Sequence, residues 1–182
     1  MSKTFIVSDV FGLTDCLEEF SDYFPESIIV DPYDGQKHHF LNEEEAYGYF
    51  MQNCGIEGYT DVLLSAIGSD GCGSRIIAFS AGASAAWNIS DKFTDIAEIV
   101  CFYGSRIRDN ADIKPLCPVK LIFPAYEKSF DVSALSEKLK RRINVTVERI
   151  VYLHGFMNRL SVNFDETGYL KYLNHLTHTD HS

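Results

Sequence analysis

The sequence predicts a single α/β domain built on a mainly parallel sheet of about six strands, with helices on both faces. Three observations carry this. Segments of strand and helix character alternate along the whole chain. The strands are apolar along their length instead of alternating, which suits a sheet covered on both sides. And 182 residues, 46% hydrophobic and 23% charged, suffice for one well-cored domain with no repeat or linker.

The elements follow in order. KTFIVSDV (3–10) is β-branched and aromatic and predicts the first strand. In TDCLEEFSDYF (14–24), Leu17, Phe20 and Phe24 fall at helical spacing. SIIVDPY (27–33) is a short buried strand stopped by Asp31-Pro32. NEEEAYGYFMQNC (42–54) predicts a helix capped by Asn42, with acids in its first turn where the dipole favours them. SRIIAFS (74–80) is a strand that runs straight into the helical AGASAAWNISDKF (81–93). AEIVCFYG (97–104) and PVKLIFP (118–124) are continuous apolar strands. DVSALSEKLKRR (131–142) is a helix with basic residues in its last turn, VTVERIVYLHG (145–155) the last strand and ETGYLKYLNHL (166–176) the closing helix. Residues 177–182 read as a frayed tail, and 55–73 carry no assigned element.

Charge and composition narrow the function. A formal charge of −10 argues against a nucleic-acid partner, whose phosphates are neutralised by Lys and Arg, and offers nothing to an anionic membrane surface. The five cysteines show no CxxC spacing, and Cys101 and Cys117 lie in apolar segments where a thiol acts as a small hydrophobe. No leader-like segment or long apolar run is visible, so a reducing cytoplasm is the expected location. Neither metal-ligand spacing nor a cofactor motif appears. GSDGCGSR (68–75) precedes a strand instead of opening a helix, so it is neither a P-loop nor a dinucleotide fingerprint.

The chemistry gathers at the join Ala78-Phe79-Ser80-Ala81-Gly82. A serine at a sharp strand-to-helix turn is pushed out over the carboxyl edge of a parallel sheet, where ligands bind. The residues two before and two after must then be small, because their Cβ positions nearly meet. Ala78 and Gly82 meet this requirement, giving a variant of the G-x-S-x-G elbow. The same turn aims the Ala81 amide at a developing oxyanion. Helix capping by Ser80 would explain the pattern as well, so a base and an acid are needed.

Of six histidines, His154 alone directly follows a strand and has a glycine behind it. His38 and His39 lie in a polar loop, and His175, His178 and His181 in the last helix and tail. For the acid, Glu127 sits in the loop just past VKLIF with no other duty. Asp131, the alternative, immediately precedes a helical run and suits an N-cap. The loop after the first strand should supply the second oxyanion amide, from Val10, with Phe11-Gly12 letting the backbone and substrate approach. An ordinary turn capped by Thr14 would look the same. Arg106 and Arg108 open the segment after the fourth strand and are candidates to attract an anionic substrate, or simply solvated loop arginines.

With these residues in place, the chain resembles the dienelactone hydrolase family. The likeness rests on VSDVFGLT (7–14), DPY (31–33), AFSAGASAA (78–86), CFYGSR (101–106) and LHGFMNR (153–159), in the family's order, with the Pro124–Glu127 loop at the place of its acid. It spans about residues 4–176. The resemblance implies a reduced α/β-hydrolase fold with no lid domain, since only GSRIRDNADIKPLCP fills the usual lid position. It also implies hydrolysis of a small carboxylic ester, thioester or lactone through an acyl-enzyme on Ser80, His154 and Glu127. Asp9 matches an acidic residue near the nucleophile and Tyr103 a tyrosine at the sheet edge. The name-giving enzymes use a cysteine nucleophile and hold a substrate carboxylate with an arginine four residues after the histidine. Here that place is Asn158, and Arg159 comes one residue late. The expected partner is a small ester or lactone, without cofactor, with a homodimer left open. A catalytically weak or inactive binding or regulatory protein on the same fold is the alternative.

Overall fold

The apolar runs pair as parallel strands. In the computed structural model, which describes residues 3–178, the sheet comprises β1 (Thr4–Val7), β2 (Ser27–Val30), β3 (Arg75–Phe79), β4 (Glu98–Phe102), β5 (Val119–Phe123) and β6 (Val145–Arg149). Their spatial order is β2-β1-β3-β4-β5-β6, parallel throughout. Going from β1 to β2 moves one way along the sheet, and from β1 to β3 the other. The reversal opens a crevice at the carboxyl ends of β1 and β3, the usual ligand position of such sheets.

Alternate strand residues face two separate cores. Phe5, Val7, Ile76, Ala78, Ile99, Cys101, Leu121 and Phe123 pack beneath α2 (Glu43–Asn53), α3 (Gly55–Ile67), α4 (Ala81–Ile89) and α5 (Val132–Leu139). Ile6, Ile77, Phe79, Val100, Phe102 and Ile122 pack beneath α1 (Asp15–Ser21) and α6 (Glu166–His178). Helices therefore cover both faces. The caps are side chains of the expected type: Thr14 accepts from the Leu17 amide, Asn42 from Glu45, and Asp131 from Ser133 and Ala134.

Three expectations change. First, α3 was not expected. It follows α2 after the single residue Cys54, with Gly55 turning the chain at φ +66, so a second helix begins where one was thought to end. Its buried Tyr59, Leu63 and Ile67 do stand at helical spacing. Second, the first and last strands are shorter than 3–10 and 145–155. Pairing stops at Val7 and Arg149, and the residues beyond leave the sheet to build loops. Third, α6 runs to His178, two residues into the segment read as a tail. The remainder of that tail, 179–182 with His181, lies outside the described residues. The segment between β4 and β5 holds only a 3-10 helix (Ser105–Asn110) and a loop. Among the described residues, no helix is long and apolar enough to cross a membrane.

Candidate active site

Ser80 occupies the turn between β3 and α4 at φ +52 and ψ −111, a conformation costly for any residue with a Cβ. Its side chain caps nothing in α4, which removes the capping role. The turn survives because Gly82 lets α4 approach β1. A Cβ at Gly82 would stand 2.4 Å from the Ser8 carbonyl oxygen and 2.8 Å from that of Val7. The Ser80 amide is tied to the Phe102 carbonyl at 2.9 Å, fixing the turn to the neighbouring strand.

Ser80 Oγ lies 2.9 Å from His154 Nε2, and His154 Nδ1 lies 2.7 Å from Glu127 Oε1. A carboxylate only accepts, so Nδ1 carries the proton and Nε2 presents its lone pair to Ser80. His154 comes five residues beyond β6. Its loop is held by Asn163 Nδ2 donating to the His154 carbonyl and by Gly155, at φ +86, where a Cβ would meet Ser161 Oγ at 2.4 Å. Burial disfavours the imidazolium, yet the hydrogen bond and charge of Glu127, with Glu43 and Asp9 behind it, outweigh this and raise the His154 pKa above its ordinary 6.5.

Asp131 is engaged as the cap of α5. Glu127→Gln is therefore expected to lower kcat roughly 10³- to 10⁴-fold, by weakening the hold on the Nδ1 proton. Asp131→Ala should cost about 1 kcal/mol of stability and leave kcat within a few-fold. Steady-state kinetics and urea melts on both variants check this pair.

Val10 lines the same cleft as Ser80, His154 and Glu127. Among the described residues, neither its amide nor that of Ala81 donates a hydrogen bond within the protein. The loop is braced from behind. Tyr33 Oη donates to the Val10 carbonyl at 2.6 Å, and Tyr59 Oη, from the unexpected α3, lies 3.0 Å from the Ser8 carbonyl and 2.9 Å from that of Val30. Gly12, at φ +71, passes so close to the Tyr33 ring that a Cβ would stand 2.4 Å from it.

Asp9 is half-buried in this loop. It accepts from the Phe11 amide at 2.9 Å and from Asn158 Nδ2 at 2.6 Å, which links the loop after β1 to the loop carrying His154. Desolvation raises its pKa to about 6, with both hydrogen bonds opposing.

The other substrate-contact expectations are not brought to the cleft. Phe11 is 4% exposed and belongs to the core. Tyr103, at φ +42, is buried with its ring 4.9 Å from that of His154. Its hydroxyl completes no hydrogen bond, the Met157 backbone being the polar group beside it. With Asp9 it faces a cavity of about 30 Å³ under α1, too small for an ester. Arg106 pairs with Asp109 at 2.7 Å, and Arg159 pairs with Glu19 and lies over the Tyr169 ring. One residue the sequence reading missed does face the reacting atoms: Glu43 Oε1, on the first turn of α2, is 3.6 Å from His154 Nε2. Its place at an acidic helix start looked fully explained by the dipole.

An all-parallel sheet in this order, with a strained serine after β3 and a histidine beyond β6, defines the α/β-hydrolase class of fold. Solved structures agree. A Klebsiella pneumoniae protein provisionally described as a dienelactone hydrolase superposes with a TM-score of 0.73 at 14% identity, covering 97% of this chain and 85% of that one. The dienelactone hydrolase-like promiscuous phosphotriesterase P91 from metagenomic libraries gives 0.61 at 15% identity, covering 98% and 85%. At such identities the likeness is one of fold. No family model matches the chain. The uncharacterized protein YczH of Bacillus subtilis (strain 168) is 35% identical over 180 residues, 92% of this chain and 87% of YczH. The chain belongs to the family of YczH.

Proposed function

We propose that the protein is a serine hydrolase that cleaves a small carboxylic ester, thioester or lactone through an acyl-enzyme. The observation that carries this reading is the continuous line Glu127–His154–Ser80, with contacts of 2.7 and 2.9 Å, ending on a serine in a strained elbow. His154 Nε2 takes the Ser80 proton as Oγ attacks the carbonyl carbon, and the amides of Val10 and Ala81 hold the oxyanion. His154 returns that proton to the leaving oxygen or sulfur as the bond to it breaks. Water, deprotonated by the same nitrogen, then attacks the acyl carbon; the bond to Oγ breaks, His154 returns the proton to Ser80 Oγ, and the acid is released. The hydrolase folds found by comparison support the class of reaction and leave the substrate open.

The test is intact-protein mass spectrometry after exposure to a small fluorophosphonate. One adduct on the wild type, absent from Ser80→Ala, is expected; an unmodified but folded wild type would refute an activated serine. The pH profile gives a second check. Neutral His154 is the reactive base, and its pKa is raised, so kcat/KM should fall on the acid side with a midpoint above pH 6.5. A midpoint at or below 6.5 would mean that another group titrates.

A further inference from the structure

The cleft in front of Ser80 is unbalanced in charge. Glu43, Glu44 and Glu127 line it against a single lysine, Lys128. Glu127 is engaged by His154, whereas the Glu43 carboxylate stands 3.6 Å from Nε2, the nitrogen that faces Ser80. A group attached near the reacting carbonyl therefore passes within a few ångströms of a negative charge. The three arginines that would answer an anionic substrate are committed elsewhere, Arg106 to Asp109, Arg108 to the Ser105 carbonyl and the Phe130 ring, and Arg159 to Glu19, and none of them lines the cleft. The rim also carries the exposed apolar and aromatic side chains of Tyr47, Tyr126, Leu153 and Val162, with the uncharged Ser105, Ser129 and Asn163 between the charges. Carboxylates together with aromatic faces are the surroundings that an ammonium group prefers.

Resting on the hydrolase reading above, we propose that this cleft selects esters with an apolar body and a positive charge close to the scissile bond, and that Glu43 is the residue that sets this preference. An ester carrying a carboxylate at that position would meet Glu43 with no arginine to offset it.

The probes are three aryl acetates of similar shape: 4-(trimethylammonio)phenyl, 4-tert-butylphenyl and 4-carboxyphenyl acetate. Their leaving groups differ in basicity, but that difference is common to every variant and cancels when ratios are compared between variants. Glu43 is part exposed, so the effect is that of a screened charge. The kcat/KM ratio of the cationic to the neutral ester should fall roughly three- to tenfold in Glu43→Gln. In Glu43→Lys it should fall further, with the carboxylated ester gaining. Raising the salt should shrink the wild-type preference. A ratio unmoved by both substitutions, or a wild type that prefers the carboxylated ester, overturns the charge selection and leaves the serine mechanism standing. If none of the three esters is cleaved and Ser80 takes up no fluorophosphonate, the hydrolase reading fails and this inference falls with it.

Discussion

Ser80→Ala is expected to lower kcat on any accepted ester by roughly 10⁴- to 10⁶-fold while changing KM little. Nucleophile, base and acid act as a unit, so removing one forfeits nearly all of the covalent route. The loss is not a folding defect in disguise. Ser80 Oγ caps no helix, and its hydrogen-bond contact is with His154. Alanine keeps the Cβ that already tolerates φ +52, so the melting temperature should stay close to that of the wild type. Residual turnover would come from the two oxyanion amides and from binding alone. Steady-state kinetics on an ester found by screening, with a thermal melt alongside, measures both quantities. A loss smaller than about a hundredfold would remove Ser80 from the nucleophile's role.

Gly82→Ala should be the most damaging small substitution in the chain, costing roughly 3 kcal/mol and much of the activity. The added Cβ would meet the Ser8 and Val7 carbonyl oxygens at 2.4 and 2.8 Å, and both are backbone atoms that cannot easily give way, Val7 as part of β1 and Ser8 with its carbonyl held by Tyr59 Oη. Relief requires α4 to move away from β1, a form of overpacking that typically costs 1–3 kcal/mol or more. The same movement separates the Ala81 amide from the loop of Val10, so kcat should fall even in the fraction that remains folded. Gly48→Ala provides the control. Gly48 is an exposed helical glycine with nothing within 4 Å of its added Cβ, and replacing it should stabilise by roughly 0.5–1 kcal/mol. Urea denaturation of the two variants distinguishes them by sign. A Gly82→Ala protein as stable as the wild type would mean that α4 and β1 are not locked at this point.

Much of this molecule was legible in its residue pattern, and the exceptions share a cause. The strands announced themselves because burial on both faces demands unbroken apolar runs, as in Ile76-Ile77-Ala78-Phe79. The serine elbow was visible because its turn admits only small neighbours, and the caps of α2 and α5 because short polar side chains satisfy orphan amides. These are local requirements, and local sequence meets them. Strand ends were overestimated at Val10 and Gly155 because a strand lasts only while a neighbouring backbone pairs with it. β-branched character continues past that point. The end of the first of the paired helices at Cys54 was read, but α3 after it was missed, because Gly55 and Gly58 in its first turns look like a loop.

Side-chain partners chosen across the fold lay beyond reach of any local reading. Arg159 is drawn to Glu19, 140 residues away, and so is lost to the cleft; Asp9 is joined to Asn158, 149 residues away, and its raised pKa comes from burial that no neighbour in sequence imposes. Glu43 looked like one acid among three at a helix start, and only the packing of α2 against the carboxyl edge of the sheet brings it to His154. The sequence by itself therefore determined most of the elements, the parallel sheet and the residue types at the elbow. Tertiary structure alone decided which charges face the cleft, because electrostatic neighbours are set by distance in space and by exclusion of water, and neither is encoded within a single element.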